Sequence, residues 1–117
     1  MAPLDDLLPL PPHTFLLLLV LRKRSLHGYG IKKELLARSD GRIDLDPGGL
    51  YRLIARMEAR GVVRAAQAPA AESTDPRRGG FYTLTAAGER LLATEAKRLS
   101  ALMQSPEVKA LLRTVNA

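Results

Sequence analysis

The chain has 117 residues, enough for one domain with one core, and its formal net charge is +6. With no cysteine there is no disulfide framework, thiolate nucleophile or Cys-ligated zinc site, which fits a cytoplasmic protein. Apolar residues make up 46% of the chain while Trp is absent and Phe is scarce, so the interior must be built from Leu, Val, Ile, Ala and Met, a bias that favours helices.

Residues 1–12 are proline-rich and read as a flexible, mostly irregular N-terminus, with Pro11 and Pro12 at a helix start. The next segment, from His13 to about Lys23, is apolar nearly all round and must be covered on more than one side. Its apolar run from Phe15 to Leu21 is too short to span a bilayer and follows two aspartates, so neither a membrane span nor a signal peptide is expected.

The chain turns around His27-Gly28-Tyr29-Gly30, and a second helix is predicted to about Arg38, with Lys32 and Lys33 pointing away from its apolar stripe. Ser39-Asp40-Gly41 stops it. Arg42 to Leu45 is short enough for an edge strand or an extended connector, and Asp46-Pro47 resembles a cap followed by proline at the first helical position. A third helix is predicted from about Gly48 to Ala59. Leu50, Leu53, Ile54 and Met57 follow the i, i+3, i+4, i+7 pattern and commit one face to the core. Arg52, Arg56 and Arg60 recur every four residues on another flank.

Val62 and Val63 begin one strand and Gly80 to Leu84 form another. The intervening segment carries Pro69, Asp75, Pro76 and the adjacent cations Arg77 and Arg78, so turn chemistry dominates it. Two strands joined by a basic loop after three helices make a wing. Thr85 is a cap for a last long helix, Ala86 to Ser105, in which Glu89, Arg90, Glu95, Lys97 and Arg98 are spread around an apolar stripe. Pro106 interrupts it, and Val108, Leu111, Leu112 and Val115 form a further short amphipathic segment. The fold class expected is therefore mainly α with a small β-hairpin, a winged helix-turn-helix over residues 13–84 followed by a C-terminal helical dimerisation region over 85–117.

Charge distribution indicates the partner. From Arg22 to Arg78 there are 13 Lys or Arg against 7 Asp or Glu, whereas the remaining 5 basic and 5 acidic residues cancel. A densely negative partner such as double-stranded DNA is attracted to that middle segment. The third helix suits a major groove, with Arg52 and Arg56 as base or phosphate contacts, because a guanidinium donates in bidentate fashion to guanine O6 and N7. Gly48 and Gly49 would let free N–H groups at the helix start approach a phosphate. Tyr51 can bury its ring and reach a phosphate with its hydroxyl. Lys32 and Lys33 belong near the backbone crossing, and Arg77 and Arg78 near the backbone or an adjacent minor groove.

Three separated stretches together resemble the PadR-type transcriptional regulators over approximately Phe15 to Leu92. They are Leu26-His27-Gly28-Tyr29-Gly30-Ile31, the run from Gly49 to Gly61, and the run from Arg77 to Gly88. The resemblance implies a short-form winged-helix member that forms an intertwined homodimer through its N- and C-terminal helices and usually represses nearby genes. It also implies that Tyr51 is the characteristic recognition-helix tyrosine and that Arg77 or Arg78 is the basic wing position. Gly49 stands where a small hydroxyl residue is usual and Arg52 where proline is common, so operator preference does not transfer. Relatives respond to small aromatic or drug-like molecules, so a hydrophobic small-molecule effector is a candidate partner here.

A two-fold dimer presents two recognition helices to an inverted-repeat operator. Phe15, Leu18, Leu92, Leu99, Leu102 and Met103 are the residues assigned to the dimer interface. The competing readings are a winged-helix protein-interaction module without specific DNA binding, and an enzyme. His13 and His27 are the only histidines, with no evident nucleophile, metal cluster or carboxylate pair beside them, so no catalytic residue, metal or cofactor is expected.

Overall fold

The computed structural model describes residues 4–67 and 80–115. Among these residues there are five α-helices, α1 (Pro12–Lys23), α2 (Gly28–Arg38), α3 (Pro47–Ala59), α4 (Ala86–Met103) and α5 (Pro106–Val115), and three short strands, β1 (Leu26–His27), β2 (Val63–Ala66) and β3 (Phe81–Leu84). This is the mainly helical winged helix-turn-helix architecture with additional helices that the sequence implies.

Helix boundaries follow local chemistry. Pro12 and Pro47 occupy first helical positions, where the missing N–H costs nothing. His27, Asp46 and Thr85 each accept a hydrogen bond from the N–H three residues on, capping α2, α3 and α4. Gly61 leaves α3 at φ 75°, a conformation suited to glycine. At Pro106 the long C-terminal helix ends and a new one begins, with Ser105 Oγ accepting from the Val108 N–H at 3.3 Å.

The antiparallel sheet has the order β1-β3-β2. Val63 faces Leu84 and Ala66 faces Phe81 across the wing base, while Leu26 and His27 pair with Tyr82 and Phe81. The third strand is thus Leu26–His27, where the sequence indicated only a turn, and Arg42 to Leu45 is the extended connector. Two residues have no periodicity of their own, and their strand identity comes from β3.

The core is aliphatic. Leu17, Leu18, Val20 and Leu21 of α1 meet Ile31 and Leu35 of α2, Leu50, Leu53, Ile54 and Met57 of α3, Val62, and Leu91 and Leu92 of α4. α1 is covered by α2, α4 and β3, which accounts for its nearly unbroken apolar sequence. Burying a Leu or Ile side chain contributes about 1.5–3 kcal/mol, so this cluster is the main reason α3 is held in place.

The segment before α1 is docked. Asp5–Leu7 form a 3-10 turn, Leu10 is buried, and the Leu10 N–H donates to Glu95 Oε2 at 2.6 Å. Glu95, expected on the charged surface of α4, is 0% exposed. Arg98, three residues on, holds it with Nε at 2.6 Å from Oε1 and Nη2 at 3.0 Å from Oε2. Those hydrogen bonds from Arg98 hold the Glu95 carboxyl below the usual range, with the Leu10 N–H adding to the effect and burial opposing it.

Candidate nucleic-acid interface

α3 is amphipathic in the required sense. Leu50, Leu53, Ile54 and Met57 are buried while Tyr51, Arg52, Ala55, Arg56, Glu58 and Ala59 are exposed. Neither the Arg52 nor the Arg56 guanidinium has a carboxylate partner among the described residues, so both are available to an external acceptor. Arg52 folds back toward the start of the helix, since a side chain on Gly48 would come within 3.2 Å of its Nη1. Its charge therefore adds to the positive end of the helix dipole.

Arg60, on the same flank, differs from the other two. It bonds to Asp6 twice, Nη2 to Oδ1 at 2.7 Å and Nη1 to Oδ2 at 3.1 Å, and so ties the end of α3 to the N-terminal segment. The Arg60 hydrogen bond lowers the Asp6 carboxyl below its ordinary value.

The start of α3 corrects one expectation. The Gly49 N–H donates to Asp46 Oδ1 at 3.3 Å and is engaged, not free for a phosphate. A side chain at Gly49 would come within 2.7 Å of that oxygen, so glycine here makes room for the aspartate cap.

Tyr51 is 42% exposed, and its hydroxyl end rests against Gly28, whose missing side chain leaves the space. Tyr51, Tyr29, Lys32, Pro47 and Leu50 line a crevice of about 260 Å³ between α2 and α3. Lys32 Nζ lies 3.5 Å from Asp44 Oδ1, which directs it toward the α2–α3 connector. Lys33 stands 5.6 Å over the Tyr29 ring. Tyr29, 60% exposed, is a surface residue that the sequence reading did not assign. An exposed aromatic next to a Lys pair was the available signal. Arg77 and Arg78 lie outside the described residues.

The wing base is joined firmly to α4. The Thr85 hydroxyl lies 2.6 Å from the Gly61 carbonyl oxygen and 3.0 Å from that of Val62, and the Thr85 N–H donates to the Val62 carbonyl at 3.0 Å. Gly88 lets α4 approach this point, since a side chain there would overlap the Val62 carbonyl. Burial pushes the Tyr82 phenol of β3 up, with the Glu58 carboxylate and Tyr51 adding to the shift.

Of the residues assigned to an interface between copies, Leu18 and Leu92 are buried in the chain's own core. Phe15 and Leu99 are half-buried, and Leu102 and Met103 are exposed. With Leu111, Leu112 and Val115 of α5, these last two extend an exposed apolar surface along the C-terminal helices. Among the described residues no cluster of His, Asp and Glu could hold a metal ion, and no helix is long and apolar enough to cross a membrane.

Residues 17–94 match the model of the transcriptional regulator PadR-like family. No curated protein sequence matches the chain significantly. Among solved structures, a PadR family transcription regulator of Clostridium difficile superposes with a TM-score of 0.62 at 23% identity, covering 80% of this chain and 95% of its own. RosR of H. salinarum gives a TM-score of 0.66 at 22% identity over 94% of this chain and 93% of that one. Bacillus subtilis PadR, in complex with operator DNA, gives a TM-score of 0.59 at 21% identity over 74% of this chain and 47% of that one. At these identities the likeness is one of fold.

Proposed function

The chain belongs to the PadR-like family of transcriptional regulators, and on that premise we propose that it is a sequence-specific, dimeric, cytoplasmic repressor whose operator is an inverted repeat. The observation that carries this reading is the pair of exposed guanidiniums, Arg52 and Arg56, on a helix whose opposite face is fixed in the core. Each can donate two hydrogen bonds to a guanine edge, worth about 1–3 kcal/mol of discrimination. Residues 13–84 read the duplex, with Lys32 and Tyr51 on the α2–α3 face, Lys33 over the Tyr29 ring, and Arg77 and Arg78 in the wing. That the structurally similar Bacillus subtilis PadR is complexed with operator DNA supports duplex DNA as the partner.

Dimerisation through residues 85–117 has a physical cause in the apolar groups left uncovered there. Leu102 is 53% exposed and Val115 78% exposed, apolar groups that a second copy would take out of water. We extend this interface to the half-buried Phe15 and Leu99, whereas Leu18 and Leu92 belong to the chain's own core. Two-fold symmetry then sets two α3 helices roughly 34 Å apart, one helical turn of DNA.

For a hydrophobic small-molecule effector we propose a groove on the domain surface. The groove, of about 430 Å³, runs between Leu4, Arg60, Ala87, Arg90, Leu91 and Thr94, at the junction of the N-terminal segment, the end of α3 and the first turns of α4. An occupant that prefers one spacing or orientation of the two DNA-binding units of the dimer changes operator affinity by that preference alone.

The test is selection of bound fragments from random genomic DNA, followed by titration at fixed salt. One recovered inverted repeat with saturable binding is the expected result. Weak, non-saturating binding with no enriched sequence would instead favour a winged-helix protein-interaction module.

A further inference from the structure

His27 ends β1 and caps α2. Its Nδ1 accepts the Gly30 N–H at 2.9 Å, so a neutral imidazole carries its proton on Nε2. The ring is only 7% exposed, with the Phe81 ring edge-on at 5.2 Å and the Tyr29 ring nearly parallel at 6.2 Å. Nε2 has no hydrogen-bond partner among the described residues, yet no buried polar side-chain atom among them is left unpaired. That nitrogen therefore keeps its access to solvent, and the opening it can reach is the cleft that His27 helps to line.

The cleft has a volume of about 280 Å³ and is bounded by Arg24, His27, Tyr29, Lys33, Glu34 and Phe81. Its charge is unbalanced. Arg24 has no carboxylate partner among the described residues, and Lys33 contacts only the Tyr29 ring face. Glu34, the single acid, is already bonded to Arg38 at 3.1 Å. Residues that carry a guanidinium, an ammonium and an imidazole N–H thus line one cleft, with the exposed Tyr29 beside them.

We propose that this cleft is a binding site for a small phosphate monoester, its phosphoryl oxygens taken by His27 Nε2–H, Arg24 and Lys33 and its organic body lying against Tyr29. Three separate donor groups suit the three terminal oxygens of a monoester better than the two of a carboxylate or of a duplex phosphodiester. The volume exceeds that of a phosphate alone, which leaves room for the organic part. Because β1 pairs with β3 and His27 caps α2, an occupant would join the return strand of the wing to the first helix of the helix-turn-helix. The assignment goes beyond operator recognition and does not depend on it.

Phenyl phosphate is the probe, titrated into the full-length protein with benzoate as the comparison. The His27 imidazole nitrogens are followed by NMR and the heat by calorimetry. Saturable binding that moves the Nε2 resonance is expected, about tenfold tighter than benzoate, and about tenfold weaker in Arg24→Gln and in Lys33→Gln. Arg42→Gln, an exposed cation elsewhere, should bind as the native chain does. A non-saturating shift, or equal affinity in all four proteins, overturns the site. A random-sequence duplex is added last. Its failure to displace phenyl phosphate supports the monoester, whereas displacement together with a reduced salt slope in Arg24→Gln and Lys33→Gln assigns the oxyanion to the DNA backbone and overturns it.

Discussion

The hydroxyl of Tyr51 lies in the space that a β-carbon on Gly28 would need, with the Tyr51 Cζ 2.8 Å from that position. The glycine at the start of α2 is therefore the seat of the tyrosine on α3, and two stretches read separately in the sequence form one contact. Gly28→Ala should displace Tyr51 at a cost of up to about 1 kcal/mol, because the ring is partly exposed and its hydroxyl end can swing aside. Adding Tyr51→Ala should recover most of that cost, because the obstructing ring is gone. Urea denaturation of the single and double variants measures the coupling. Strictly additive losses would show that the two residues do not share the space.

Gly88→Ala presents a harder obstacle. Its new methyl group would meet the Val62 carbonyl, which is backbone and already accepts from the Thr85 N–H. A backbone atom cannot rotate away as a tyrosine can. The expected loss is about 2 kcal/mol or more, with α4 shifted from the wing base. A denaturation midpoint equal to that of the native chain would contradict this account of the joint.

Acid should release the N-terminal segment. The Glu95 and Asp6 carboxyls are both held below their ordinary values, so their contribution is complete above the unfolded carboxylate range of about 4 and is lost as pH falls through the folded values. Stability should be flat from pH 7 to about 5 and fall below about 4. The Leu10 amide resonance reports the Glu95 part directly, and its acid transition should disappear in Glu95→Gln. A transition that survives in that variant belongs to another group.

Leu102→Glu tests the uncovered C-terminal surface. The side chain is 53% exposed, so the substitution leaves the chain's own core intact. Sedimentation at micromolar concentration should find monomers with unchanged helix content and weakened operator binding. A persisting dimer would remove Leu102 from the interface.

The helical framework was legible because its signals are local. Asp46-Pro47, Thr85 and Pro106 mark ends through their own backbone chemistry, and the spacing of Leu50, Leu53, Ile54 and Met57 identifies the buried face of α3 without reference to anything distant. What depends on remote partners was not legible. Leu26–His27 is a strand only because Phe81 and Tyr82 pair with it. Glu95 has a local partner in Arg98, which a spacing of three residues could have suggested, but its second partner is the amide of Leu10, 85 residues away. Leu18 and Leu92 read as interface residues because an apolar helix face looks the same whether its own chain or a second copy covers it.

In the proposed interface, Arg52 and Arg56 were identifiable from their spacing, since residues four apart share a helix flank. Arg60 shares that spacing and was left outside the contact set, but its commitment to Asp6, 54 residues away, has no local signal. Asp46 was legible as the cap of α3, and a cap accepts from an N–H at the second or third helical position, so the engagement of Gly49 follows from a signal that the free-N–H expectation left unused.

The most direct measurement is a salt-dependent titration of the selected inverted repeat and a scrambled duplex with the native chain and the Arg52→Ala/Arg56→Ala variant. Both arginines are exposed, so the variant should fold and dimerise normally. It should lose about 30-fold or more in preference for the operator while retaining most of its salt-dependent binding to the scrambled duplex. An unchanged operator preference in a folded variant would contradict the claim that α3 reads the sequence through these two guanidiniums.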